Sequence, residues 1–158
     1  MGNRLMAINP NLELTILNEY LKDDRMIEVL QQTPFDFVVD AIDTLAPKIF
    51  LIYHSLKNQL PIVSAMGAGG KTDPSKIQIA DISKSYNCKL ARMLRKRLHK
   101  LGVYKGVTVV FSPEEVSPNA VILEEGENKK SNVGTISYMP PLFGCFMASV
   151  VIKRLIER

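Results

Sequence analysis

The chain has no tryptophan and only two histidines and two cysteines among 158 residues. Cys88 and Cys145 are far apart and form no C-x-x-C pair, and His54 and His99 stand at no metal-ligand spacing from them. A structural zinc is therefore not expected. A chain of this length can bury roughly two-thirds of its unfolded surface, so its core needs no disulfide. This cysteine usage fits a reducing, cytoplasmic setting. The opening "MGNRLMAINPN" has no long apolar stretch, which argues against a secretory signal. The longest apolar segment, Pro140–Ile152, is shorter than the roughly 20 residues that span a bilayer, and it reads as a buried helix rather than a stable membrane span. There is no internal repeat and no low-complexity tract, so one domain over 1–158 is the expectation.

What is present is an ordinary globular balance, 46% hydrophobic and 23% charged. The formal charge of +4 is unevenly placed: Lys84–Lys105 holds eight Lys or Arg and no acid. Within it Leu90, Leu94, Leu98 and Leu101 recur at the spacing of one helical face. Lys89, Arg92, Arg95, Lys96 and Lys100 are then candidates for a solvated surface or for phosphate contact, and composition leaves both open. An acidic stretch with Glu114, Glu115, Glu124, Glu125 and Glu127 also contains Pro113, Pro118 and Gly126, and it reads as a loop.

Apolar strand-like runs alternate with helical patterns, which predicts an α/β fold with a largely parallel, Rossmann-like sheet and flanking helices. The strand-like runs are "LELTIL" (12–17), "FDFVVDAI" (35–42), "PIVSAM" (61–66) and "VTVVF" (107–111), and "KIQIADI" (76–82) alternates in the same way. Helices are expected over "DDRMIEVLQQ", capped by Asp23 or Asp24, over "DTLAPKIFLIYHSLKNQ", capped by Asp43 or Thr44, through the basic segment, and from about 141 to 157. The start, "NRLMAINPN", reads as the tail of a helix ending at Asn9-Pro10. Nucleotide-holding α/β domains usually open with a strand, a Gly-rich turn and a helix. Nothing before Leu12 supplies these, so the expectation is a domain lacking its first strand and Gly-rich turn.

"AMGAGGKT" (65–72) ends like a phosphate-cradling loop, but Ala65 stands where the first glycine belongs. Asp73-Pro74 and a strand-like run come next, where such a loop requires a helix. Gly67, Gly69 and Gly70 still permit close backbone approach, so the segment is either a ligand-lining turn or a plain connection. Cys88, at the start of the basic helix, could have its thiol activated by the helix terminus and Lys89, or be incidental there. In "FDFVVDAIDT" the two acids are three residues apart, which places them on opposite faces of a continuing strand and rules out a paired-carboxylate dyad. Asp40 belongs to the buried strand end. Asp43 belongs to the following loop at the sheet's carboxyl edge, as a Mg²⁺ ligand or as a helix cap.

Four segments in order, "FVVDAIDTLAPK", "PIVSAMGAGGKTDP", "NCKLARMLRKRL" and "GTISYMPPLFG", resemble the adenylating enzymes of the ubiquitin-activating-enzyme-like superfamily, the ThiF, MoeB and HesA relatives. The resemblance runs from about Asn3 to Ile156 and is nearest to the branch of ATP-dependent tRNA threonylcarbamoyladenosine dehydratases. It implies adenylation of the carboxylate of a threonylcarbamoyl group on tRNA, ring closure by the group's own nitrogen, and departure of AMP. It also implies ATP and Mg²⁺ as cofactors, Asp43 as the Mg-ATP aspartate and Lys48 as a basic cofactor-binding position. The Gly67–Gly70 turn would lie near the nucleotide, and the basic helix would meet tRNA. Homodimerisation is common in the family, and a sulfur-transfer partner occurs in some members.

The chain departs from that pattern in two ways. The family's N-terminal half-domain, with its nucleotide turn and phosphate-contacting basic residues, is not found in these 158 residues. No cysteine stands in "GENKKSNVG", where some relatives carry one for persulfide relay. The expectation is therefore the C-terminal part of a ThiF-like adenylating domain, inactive alone. Two alternatives remain: a non-catalytic binding or dimerisation module, and an activator of a ubiquitin-like sulfur carrier.

Overall fold

A computed structural model of the chain describes residues 1–117, 120–122 and 132–157. Four strands form a sheet in the order β1-β2-β4-β3: β1 (Val38–Asp40), β2 (Ile62–Ala65), β3 (Gln78–Asp81) and β4 (Thr108–Phe111). The first two pair in parallel, with Val38 opposite Ile62 and Asp40 opposite Ser64, and β4 continues in parallel on β2. β3 closes the far edge antiparallel to β4. Residues 121–122 (β5) and 132–133 (β6) form a separate two-stranded antiparallel ribbon.

Both faces of β2 and β4 are apolar because both are covered, whereas Val39 on the edge strand β1 is 52% exposed. On one face α3 (Leu45–Lys57) and α4 (Lys89–Lys100) enclose Ile52, Ile62, Leu94, Leu98, Val109 and Phe111. On the other, α5 (Met139–Ile156) sets Met139, Phe143 and Met147 against Val63 and Val110. The neighbours Ile62 and Val63, or Val109 and Val110, thus serve opposite layers, as the two-residue side-chain period requires. α5 is long and apolar enough, by length and composition, to cross a membrane. It is not the buried helix its sequence suggests: only the Met139, Phe143 and Met147 face is packed on the sheet, and Ile152, Leu155 and Ile156 are exposed, because the sheet covers the helix from one side alone.

Helix ends obey local chemistry. α3 begins after Thr44, and Pro47 falls in its first turn, where the missing amide has no intrahelical partner to lose. α4 ends in a Schellman motif: the Gly102 amide donates to the His99 carbonyl at 3.1 Å and the Val103 amide to that of Leu98 at 2.9 Å. Gly102 has φ +79, which glycine adopts without strain. Ala91, Leu94 and Leu98 are the buried stripe of α4, whereas Leu101 has already left the helix and is exposed.

Several expected bounds shift. α1 (Gly2–Ile8) is a helix ending at Asn9, as its sequence suggests, and α2 spans Asp23–Gln32 with Lys22, not an aspartate, at its cap. The run 12–17 forms no strand. A strand exists only through the ladder a neighbour supplies. No described strand lies beside this run, and Ile16 is 65% exposed. The run 35–42 shortens to three paired residues, and the alternation of 76–82 becomes the antiparallel edge strand β3.

Candidate functional site

The carboxyl ends of β1, β2 and β4 are adjacent, and the loops leaving them form one rim. In open α/β sheets this rim is where ligands bind.

β1 delivers two acids in different environments. Asp40, its last residue, is fully buried, while Asp43 is exposed in the loop beyond it. The Asp40 carboxylate accepts from the Ser64 hydroxyl at 2.5 Å and the Ile42 amide at 3.0 Å, and it pairs with the Lys48 ammonium at 2.8 Å. Lys48, also fully buried, donates in addition to the Ile42 carbonyl at 2.9 Å. Burial pushes the Lys48 pKa down, and the Asp40 charge opposes that shift. A buried ion pair survives only when its geometry and additional hydrogen bonds repay desolvation, and here four bonds do so. Lys48 is thus brought against Asp40 and the Asp43 loop.

β2 runs into the glycine turn. The Met66 amide still donates to the Val110 carbonyl at 2.8 Å, after which the Gly70 amide donates to the Gly134 carbonyl at 2.7 Å. Gly70 has φ +70, and a Cβ there would lie 2.4 Å from a Val116 methyl carbon, so only glycine fits without displacement. A Cβ on Gly69 would meet Val133 at 3.1 Å. The turn is thus packed beneath the segments at Val116 and Val133.

The segment after this turn lacks the helix of a phosphate loop. Asp73 accepts from the Ser75 amide and caps a single 3-10 turn, Pro74–Lys76, instead of an α-helix. Lys71 is 2% exposed, and its ammonium donates to the carbonyls of Glu114 and Asn87, tying together three loops of the rim. Burial lowers its pKa, with the nearby Cys88 thiol and Glu114 carboxylate opposing. The Glu114 carboxylate accepts from the Thr72 amide, the Thr72 hydroxyl and the Asp73 amide at 2.8 to 2.9 Å. Desolvation raises the Glu114 pKa, but these bonds outweigh it and hold the carboxyl below its ordinary value. Tyr138 donates to the Thr72 carbonyl at 2.6 Å. Sequence reading missed Lys71, Glu114 and Tyr138 as clamps because each makes its contact across 16 to 66 residues.

α4 starts at the same rim, since a Cβ on Gly67 would lie 3.9 Å from the Leu90 Cβ. Asn87, Cys88, Lys89, Arg92 and Arg95 line an open cavity of about 310 Å³ there. Lys89, Arg92, Lys96 and Lys100 are exposed along the helix, about 16 Å from first to last at 1.5 Å per residue. Arg95 differs from them: its guanidinium donates to the Ser85 carbonyl at 2.7 Å and to the Ser85 hydroxyl, anchoring α4 to the preceding turn. Cys88 is buried at the helix cap. Glu124, Glu125 and Glu127 lie outside the described residues.

No group of three or more His, Cys, Asp or Glu side chains among the described residues could hold a metal. A cation at this rim would need ligands from outside these residues. Mg²⁺ is usually held by one or two carboxylates plus substrate phosphates, and Asp43 offers one exposed carboxylate in the loop after β1.

The ThiF family model matches residues 1–158. The chain is 37% identical over 153 residues to the tRNA threonylcarbamoyladenosine dehydratase of Bacillus subtilis, covering 95% of this chain and 59% of that protein. It is 36% identical over 121 residues to the Escherichia coli protein of the same name, covering 72% of this chain and 45% of that one. The crystal structure of the E. coli tRNA N6-threonylcarbamoyladenosine dehydratase in complex with ATP superposes with a TM-score of 0.84 at 30% identity, over 99% of this chain and 62% of that one. The same enzyme with AMP gives 0.84 at 29% identity. The chain thus spans about three-fifths of the length of these relatives or less.

Proposed function

The chain belongs to the ThiF family, and from that premise we propose that it is the Asp43-bearing part of an ATP-dependent tRNA-modifying dehydratase acting on threonylcarbamoyladenosine. The observation that carries this reading is Asp43 itself: an exposed carboxylate at the carboxyl edge of β1, beside the glycine turn of β2, in a chain whose relatives bear that name.

Bound ATP would supply the adenylyl group that converts a carboxylate oxygen from a poor leaving group into a good one. The chain's own residues would prepare that step. Asp43 would present its carboxylate to Mg²⁺ held on the phosphates, offsetting charge where it develops. The turn at Gly67, Gly69 and Gly70 would form a wall of the nucleotide site, and Lys48 would hold the Asp43 loop from beneath. The exposed Lys89, Arg92, Lys96 and Lys100 would meet tRNA phosphates, with Arg95 holding their helix in place. A tRNA substrate fits a cytoplasmic protein. A homodimer fits the exposed Ile152, Leu155 and Ile156 at the end of α5.

The test is ATP–pyrophosphate exchange by the full-length gene product in the presence of threonylcarbamoyladenosine-bearing tRNA. Exchange that depends on this tRNA and falls about 100-fold in Asp43→Asn, through loss of a metal ligand, is the expected result. Exchange indifferent to Asp43, or absent altogether, refutes the proposal.

A further inference from the structure

The buried pair beneath the rim does more than satisfy itself, because both of its members are bonded to the main chain of one residue. The Ile42 amide donates to Asp40, and the Ile42 carbonyl accepts from Lys48. The peptide planes on either side of Ile42 are thereby fixed from the sheet and from the first turn of α3, and the second of those planes carries Asp43. Asp40 is itself set by the β1–β2 register, which places Ser64 opposite it as a hydrogen-bond donor. The chain of support runs from β2 through Ser64, Asp40 and Lys48 to Ile42 and ends at the Asp43 backbone.

We infer that Lys48 is a positioning residue: it acts on bound Mg-nucleotide through the Ile42 carbonyl, setting where Asp43 presents its carboxylate, and touches neither nucleotide nor metal. Its ammonium is fully buried and shared between Asp40 and Ile42, which leaves it inside the protein while Asp43 stands outside. This inference rests on the reading of Asp43 as a Mg-nucleotide ligand. Support behind a ligand of this kind is worth about 10- to 100-fold in metal affinity.

The experiment compares Asp40→Asn/Lys48→Met with Asp43→Asn in the full-length gene product. The double variant removes both charges at similar volume, so no lone buried ion remains, and the carboxamide that replaces the Asp40 carboxylate keeps an acceptor for the Ile42 amide. Mn²⁺ binding with a non-hydrolysable ATP analogue is measured by electron paramagnetic resonance, and amide hydrogen exchange is measured in the metal-free protein. The expected result is a Mn²⁺ dissociation constant raised about 10- to 100-fold in the double variant. Exchange is expected to rise at 41–44 while protection persists in β2 and β4. A purely structural pair would lower protection throughout without changing metal affinity in the folded fraction, and that outcome overturns the inference. If Asp43→Asn also leaves Mn²⁺ affinity unchanged, the reading of Asp43 fails and this inference fails with it. A second measurement needs no variant: the Ile42 amide of the metal-free wild-type protein should be protected from exchange, and exchange there at open-loop rates overturns the proposal.

Discussion

Replacing Lys48 with methionine keeps the length of the side chain and removes only its charge and donors. Asp40 then remains at 0% exposure with the Ser64 hydroxyl and the Ile42 amide but no cation, and the Ile42 carbonyl loses its donor. Breaking a buried pair in this one-sided way costs about 3–5 kcal/mol. A domain of this size loses about 2–4 °C of melting temperature per kcal/mol, so the midpoint should fall by roughly 6–20 °C. Asp40→Asn/Lys48→Met should recover most of that loss, because neutral replacement of both partners is often nearly free. The assay is thermal and urea unfolding of the wild type, the two single variants and the double variant, closed as a thermodynamic cycle. A cost for Lys48→Met below about 1 kcal/mol would refute the reasoning, since it would mean that Asp40 is not held in a dry site by Lys48. A double variant less stable than either single one would refute it equally.

The rim gives three other expected outcomes. Gly70→Ala places a Cβ on a backbone at φ +70 and 2.4 Å from a Val116 carbon, and it should lower the urea-derived unfolding free energy by about 1–3 kcal/mol; a neutral result would show that the turn is not packed as described. The Glu114 carboxyl titrates below its ordinary value of 4.5, so its bonds to Thr72 and Asp73 contribute stability that is present above that pH and lost as the pH falls through the depressed folded value. Glu114→Gln should flatten the acid limb of stability against pH, and an unchanged limb would count against the clamp. Arg92→Ala, at an exposed position, should weaken tRNA binding and reduce the slope of log affinity against log salt by about 1 with little change in melting temperature. Arg95→Ala should instead lower the melting temperature, and the reverse pattern would overturn the assignment.

Much of the fold was legible because its signals are local. The apolar runs that become β2 and β4, the heptad-like leucines of α4 and the early proline of α3 each act within a few residues, and each element forms where its pattern stands. The run at 12–17 was misleading for the converse reason: its alternation is as clear as that of β3, but a ladder depends on what lies alongside, and β3 has β4. α4 shows the same limit on a finer scale, since Arg92 and Arg95 are equivalent in composition and only the proximity of Ser85 turns Arg95 into an anchor.

The site divides along the same line. The three-residue spacing of Asp40 and Asp43, read with the two-residue period of a strand, suffices to send one acid inward and the other to the loop. The residues around "AMGAGGKT" argue against a phosphate loop, because Ala65 replaces its first glycine and the alternating run after Asp73-Pro74 reads as a strand where such a loop requires a helix. What sequence could not give is who meets whom across the rim: Lys48 with Asp40 and Ile42, Lys71 with the Glu114 carbonyl, Tyr138 with Thr72. By itself the sequence determined the α/β alternation, the strands β2 and β4, the helices α2 to α5 and the place of Asp43 in the loop beyond β1, since these arise from backbone periods within one segment. Only the tertiary structure decided that Lys48 faces inward and that the glycine turn is clamped from above. A buried charge is stable only beside a partner, and partners are set by strand order and loop closure.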